Sequence, residues 1–295
     1  MADALPPSID PVAAQRWAHA APARTPWLHE EVSRRMADRL QWIRLQPPAW
    51  ADWEPVRGGL QAHALVAARY PRSPCWVVEH DAKFVAAAKR SLTRPWWHFH
   101  APALHHGSAP EGGVQMLWAN MALHMAADPQ ALIAQWHRTL GVDGFLMFSC
   151  FGPDTLRELR ALYARLGWPA PAHEFTDMHD WGDMLVHGGF AEPVMDMERV
   201  TLTWETPQRL LAELRELGTN LNRARFPALR GRRWRHELEE QIAHSLRDAE
   251  GRLALTFEIV YGHAVKPPPR VRMAGESAVS VSDMQALLRS GRRGR

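Results

Sequence analysis

Residues 114–150 read VQMLWANMALHMAADPQALIAQWHRTLGVDGFLMFSC. VQMLWANMAL is short and almost continuously apolar, as a strand buried on both faces must be. In DPQALIAQWHRTLG, Asp128 is placed to cap a helix whose first position is Pro129, and Gly141 is placed to close it. GFLMFSC is a second buried strand. A strand, a helix and a strand in such quick succession form a parallel crossover unit.

The same alternation extends in both directions. Upstream, CWVVEHD is a short apolar strand and AKFVAAAKRSL the helix after it. TPWLHEEVSRRMADRLQWIRL places Leu28, Val32, Met36, Leu40 and Ile43 at spacings of three and four, which predicts one apolar helical stripe ended by QPP. Downstream, PDTLRELRALYARLG predicts a helix capped by Asp154 and closed by Gly167, with Leu156, Leu159, Tyr163 and Leu166 on one side. FTDMHDWGDMLVHGGF predicts a further short helix and PVMDMERVTLTW a strand. TPQRLLAELRELG, capped by Thr206 with Pro207 at its start, and RRWRHELEEQIAHSLRDAEG are two helices inserted before the last strand, RLALTFEIVYGHAVK. These last two strands are expected to pair antiparallel at the sheet edge. The fold class is therefore α/β: a doubly wound, mostly parallel, Rossmann-like sheet, with a helical insertion before the last, antiparallel strand. Residues 1–46 read as an N-terminal helical segment and 47–267 as the main domain, with the insertion at 205–250. Residues 268–295 read as a disordered basic tail.

Composition narrows the function classes. The chain has 295 residues, 46% hydrophobic and 23% charged, enough for one large core or one core with a subdomain. No run approaches the roughly 18 apolar residues needed to span a bilayer, and the first residues lack the blocks of a signal peptide, so a cytoplasmic location is expected. The two cysteines, Cys75 and Cys150, lie far apart beside apolar residues and suggest neither a disulfide framework nor a thiolate metal site. A net charge of +3 is too small to imply nucleic acid by itself. His98, His100, His105 and His106 crowd one segment without ligand spacing or nearby carboxylates, so no metal is expected. Trp96 and Trp97 read as packing.

The segment MLWANMALHMAADPQALIAQWHRTLGVDGFLMFSCFGPDTLRELR resembles the malonyl-acyl-carrier-protein O-methyltransferases of biotin synthesis, whose pattern there is roughly SN-ALQW--DP followed by GG-L-FSTFGP-TL-EL. The resemblance continues through MHDWGDMLVHGGFAEPVMDMERVTLTW and LTFEIVYGHAVKP, so that it spans residues 115–267. It implies the class I methyltransferase fold, with a seven-stranded sheet, and S-adenosylmethionine as cofactor. It also implies methyl transfer to a malonyl carboxylate on an acidic acyl-carrier protein. A carboxylate is already a nucleophile, so positioning and exclusion of water would supply most of the catalysis.

The cofactor turn departs from the pattern. In this fold the turn after the first strand reads acid-x-Gly-x-Gly-x-Gly; aligned to it, EPVRGGL offers Glu54, Val56, Gly58 and Leu60, with Gly59 taking part if the offset shifts by one. Val56 would be strained at a positive φ, Leu60 adds bulk, and the weakly apolar WADW makes a poor first strand. Glu79, at the end of CWVVE, suits the ribose hydroxyls, or is a solvated residue after a strand. Asn120 matches the family's SN position and lines the cofactor, or is a buried structural amide. No Asp follows the third strand where one is usual near adenine, and Arg24 stands near the place of the family's N-terminal tyrosine.

On the acceptor side, Phe151 falls at the carboxyl end of a strand and walls the methyl-transfer pocket, or fills the core. Arg157 and Arg160 are candidates for a bidentate bond to the malonyl carboxylate, or form a solvated helix face. Arg223, Arg225, Arg230, Arg232, Arg233 and Arg235 crowd the insertion and are candidates for docking an acidic carrier protein, with RNA or plain solvation as other readings. Against methyl transfer stands a degenerate fold kept as a non-catalytic binding or assembly protein, as in the related respiratory complex I assembly factors.

Overall fold

The apolar runs become the middle of one sheet. A computed structural model of the chain describes residues 9–93 and 102–269. The strands are β1 (Trp50–Trp53), β2 (Cys75–Val78), β3 (Leu104–His106), β4 (Val114–Ala119), β5 (Leu140–Phe151), β6 (Ala191–Trp204) and β7 (Leu253–Val265), in the order β3-β2-β1-β4-β5-β7-β6. β7 runs antiparallel to both its neighbours, β5 and β6, and the pairs among β1 to β5 are parallel. The expected antiparallel edge pair is therefore present, with β6 outermost. Among the described residues no helix is long and apolar enough to cross a membrane.

The helices are α1 (Pro11–Ala20), α2 (Trp27–Arg39), α3 (Pro55–Gly58), α4 (Leu60–Arg69), α5 (Ala82–Ser91), α6 (Pro129–Thr139), α7 (Arg157–Arg165), α8 (Met178–His187), α9 (Pro207–Leu217) and α10 (Arg232–Ser245). One apolar layer joins the sheet to α2, α4, α5 and α7 and continues into α9 and α10. The opposite layer is filled from α6 and α8, with Trp136 and Leu185 fully buried. The predicted stripe of α2 is buried at Leu28, Val32 and Met36 and continues to Leu40.

Several predicted ends hold. The Asp128 carboxylate accepts from Ala131 N at 2.9 Å and the Thr206 hydroxyl from Arg209 N at 3.3 Å, each with proline next in the chain. Gly167 adopts φ +65°; Trp168 N bonds Tyr163 O and Gly167 N bonds Ala164 O, the paired closure that a left-handed residue permits.

Other ends are corrected. Gly141 does not close α6: the helix stops at Thr139, and Leu140 already pairs with Val114 as the start of β5. Asp154 does not cap α7, because its carboxylate is taken at 2.7 Å by Arg199 on β6; the helix starts after Leu156, which turns left-handed at φ +59°. WADW is a central strand, and all four of its residues are buried. Asp52 is tolerated there because His63 Nδ1 lies 2.7 Å from its carboxylate. Trp96, Trp97, His98, His100 and nearly all of the tail at 268–295 lie outside the described residues.

Candidate active site

β1 and β4 are neighbours, yet the chain leaves β1 toward β2 and β3 on the other side, so the carboxyl ends of β1 and β4 flank the switch point where doubly wound sheets bind ligands. A cavity of about 520 Å³ opens there. Its floor is Glu54 after β1, Glu79 and His80 after β2, and Met121 and Ala122 after β4; Ala14, Trp17 and Ala18 of α1 lie over it. The volume is in the range of small-molecule sites.

The turn after β1 keeps this space open without the usual glycines. Positive φ falls on Glu54, at +52°, and on Gly59, at +150°, while Val56 is fully buried in the apolar core and does not line the cavity, and neither does Leu60. The expected strain and blockage at Val56 and Leu60 are thus absent. Gly58 and Gly59 serve packing instead: a Cβ on Gly58 would lie 2.9 Å from Asn120 O, and one on Gly59 would lie 2.6 Å from Ser33 Oγ on α2.

Glu79 accepts from Val56 N at 2.9 Å through one oxygen, and its other oxygen has no partner among the described residues. Burial raises its carboxyl to about 8, the Val56 N–H opposes the rise, and Glu54 and Asp52 add to it. Glu54, 3.9 Å from His80 Nε2, is also raised by desolvation, against His80 and Arg57.

Asn120 is not on the cavity wall. Its amide nitrogen donates to His29 O at 2.8 Å and to Gly58 O, and its oxygen accepts from Ser149 Oγ at 2.5 Å. The structure thus gives it the alternative role of a buried structural amide, one that holds the β1 turn against α2.

Arg57, which no sequence motif marks, also lines the cavity. Its guanidinium donates to Arg24 O at 3.2 Å, Glu216 O at 2.7 Å and Leu217 O at 3.3 Å, and lies over the Trp17 ring at 5.5 Å. Burial lowers it to about 10, still charged at neutral pH. Its backbone O accepts from His29 Nδ1 at 2.8 Å, and burial holds His29 neutral, lowered to about 3. A lone arginine between Val56 and Gly58, shortly after a strand end, is the only hint the sequence offers.

A second, apolar chamber of about 280 Å³ adjoins the first, and Met125 and Leu217 line both. Phe151 walls it, with its ring 5.6 Å from Phe175 and 4.5 Å from His124. Arg157 and Arg160 are not brought to it. Arg157 is engaged with Glu158 at 3.0 Å on the surface, and Arg160 donates to Pro153 O and His173 O, both at 3.2 Å, with its charge over Phe175. The six insertion arginines divide as well. Arg225 pairs with Asp10, Arg235 with Glu239, and Arg230 lies against Trp168, Phe226 and Trp234. Arg223, Arg232 and Arg233 are exposed, near the exposed Phe226 and Leu229. His105 stacks on Trp76, and no cluster of potential metal ligands occurs among the described residues.

In solved structures the same architecture recurs in a putative methyltransferase from Bacillus halodurans, with TM-score 0.53 and 14% identity over 79% of this chain and 99% of that one. The YcgJ protein of Bacillus subtilis matches at TM-score 0.53 and 12% identity over 80% and 99%. The fold is that of the class I methyltransferases. No protein-family model matches the chain. Among curated proteins, the malonyl-[acyl-carrier protein] O-methyltransferase of Laribacter hongkongensis is 38% identical over 257 residues, covering 83% of this chain and 84% of that protein. The enzyme of the same name from Gallionella capsiferriformans is 36% identical over 271 residues, covering 86% and 89%. The chain belongs to the malonyl-[acyl-carrier protein] O-methyltransferase family.

Proposed function

We propose that this chain is a methyltransferase of biotin synthesis, transferring the methyl group of S-adenosylmethionine to the free carboxylate of a malonyl thioester on an acyl-carrier protein. The observation that carries the reading is the open cavity at the β1/β4 switch point, with the free oxygen of Glu79 beside it and no plug from Val56 or Leu60.

The residues present fit the cofactor. Glu79, whose carboxyl burial raises to about 8, suits the ribose diol because its free oxygen lies beside the cavity and two hydroxyl donors favour its ionised form. Arg57 is a cation on the cavity wall whose charge attracts the methionine carboxylate, while its terminal nitrogens stay on backbone oxygens. Ala131 and Leu132 offer an apolar wall for the adenine, with Gln135 beside them. When bound, S-adenosylmethionine supplies a methyl group on a sulfonium, an electrophile that an ionised carboxylate attacks without prior loss of a proton. The protein's own contribution is positional: α1 covers the cavity, Met125 and Leu217 mark where the two chambers meet, and the apolar walls around Phe151 exclude water.

The carrier protein, acidic in this reading, docks on the exposed part of the insertion. Three charges there, Arg223, Arg232 and Arg233, are free to steer it, and Phe226 and Leu229 give apolar contact. The test is calorimetric titration with S-adenosylhomocysteine, followed by methyl transfer from labelled S-adenosylmethionine to malonyl-carrier protein. Micromolar binding with transfer is expected. Absence of heat at millimolar ligand would overturn the reading in favour of a non-catalytic binding protein.

A further inference from the structure

Three buried imidazoles surround the junction of the two chambers, and they differ in which nitrogens are free. His29 Nδ1 bonds Arg57 O at 2.8 Å and His173 Nε2 bonds His124 O at 3.0 Å, so in both the proton is fixed on the bonded nitrogen. The remaining nitrogens, His29 Nε2 and His173 Nδ1, then carry lone pairs and no proton. His124 is different: it is 4% exposed, and neither Nδ1 nor Nε2 has a partner among the described residues. A neutral imidazole with both nitrogens buried and unpaired leaves one N–H donor and one lone pair unsatisfied, which is costly in an apolar site.

His124 also stands where a donor is needed. It lines the apolar chamber with Phe151 and Phe175, and its chain neighbour Met125 lines both chambers. An acceptor carboxylate entering this space must exchange its water for protein donors. Arg157 and Arg160 are bonded elsewhere, and Arg215 on the chamber wall is exposed.

We infer that His124 recognises the acceptor: its free N–H donates to the oxygen of the malonyl carboxylate that is not methylated, selecting a carboxylate-bearing acyl group and holding it at the junction of the two chambers. This rests on the reading given under Proposed function. A neutral donor fits methyl transfer better than a cation, because it orients the carboxylate while leaving the attacking oxygen its electron density.

The test compares His124→Gln, whose carboxamide keeps a donor and an acceptor, with His124→Met, which fills similar space without either. S-adenosylhomocysteine affinity should stay within about twofold of wild type in both, since His124 does not line the cofactor cavity. His124→Met is expected to lose about 30-fold in kcat/KM on malonyl-carrier protein, the scale of one hydrogen bond to a charged group, and to melt no lower than wild type because unpaired polar atoms leave the core. His124→Gln should recover most of the activity. A methionine variant within threefold of wild type, or a glutamine variant as impaired as methionine, overturns the inference. A wild-type protein that binds the cofactor product but never methylates malonyl-carrier protein overturns the functional reading, and this inference with it.

Discussion

The turn after β1 and the turn after β4 meet in one cleft, yet they reached it by opposite routes. The first has lost most of the glycine pattern and keeps the opening: left-handed geometry sits at Glu54 and Gly59, and Val56 is directed into the core. The second carries Asn120, which the family resemblance would put at the cofactor, yet its amide lies off the cavity and clamps Gly58 O and His29 O. A motif records which side chains a backbone once required, and the cleft depends only on where the backbone goes.

Substitutions can break this comparison. If the turn is held by core packing, Val56→Gly should lower stability by about 3 kcal/mol without improving S-adenosylhomocysteine binding. Denaturant unfolding and calorimetry would check both, and tighter binding would show that the missing glycine matters after all. Glu79→Ala should weaken S-adenosylhomocysteine about 100-fold, as expected when an acceptor that two ribose hydroxyls hold in its ionised form is removed. Gly58→Ala should cost about 1–2 kcal/mol by pressing a methyl group on Asn120 O, with a lowered melting temperature as the readout. Reversing charge with Arg232→Glu and Arg233→Glu should weaken carrier-protein binding by about threefold to tenfold at low salt and flatten its salt dependence. Unchanged affinity would remove the docking site.

Acidity sharpens the contrast further. Glu79 is raised to about 8 in the folded protein, so between its ordinary value and about 8 the folded state holds more proton than the unfolded one, and its contribution to stability is lost as pH rises through that window. Glu79→Gln should remove that slope from unfolding curves taken at pH 5 to 8. His29 and His173, lowered to about 3 and about 4, act in the opposite sense: their contribution is present above about pH 6.5 and is lost as pH falls, because the unfolded chain takes the protons first.

What was legible in the sequence were the features decided by neighbours in the chain. The buried runs of β4 and β5, the caps at Asp128 and Thr206 and the closure at Gly167 all rest on residues a few positions apart. The places of Asp154 and Gly141 are set by distant partners: Arg199 on β6 takes the Asp154 carboxylate, and β5 extends back to pair Leu140 with Val114. WADW looked too polar for a central strand until His63, on the next long helix, met Asp52. Arg157 and Arg160 have a suitable type and spacing, but packing spends them on Glu158 and on two backbone oxygens. Arg57 and His124 escaped notice because nothing local marks them: one is distinguished by the carbonyls it gathers from two distant segments, the other by the partners it lacks.

The roof over the cleft has a kinetic consequence. Helix α1 contributes no fully buried side chain, and polar contacts grip it at both ends: Asp10 on Arg225 at one, His19 on Asp81 and Lys83 on Ala21 O at the other. Ties of this sort, mostly at the solvent edge, are individually weak and loosen as ionic strength rises. Fraying of a short leading segment, far cheaper than melting the sheet, should therefore set the residence time of whatever lies beneath. Amide exchange in Ala14–Ala18 is accordingly expected to outpace that of β4, and equal protection in the two would refute it.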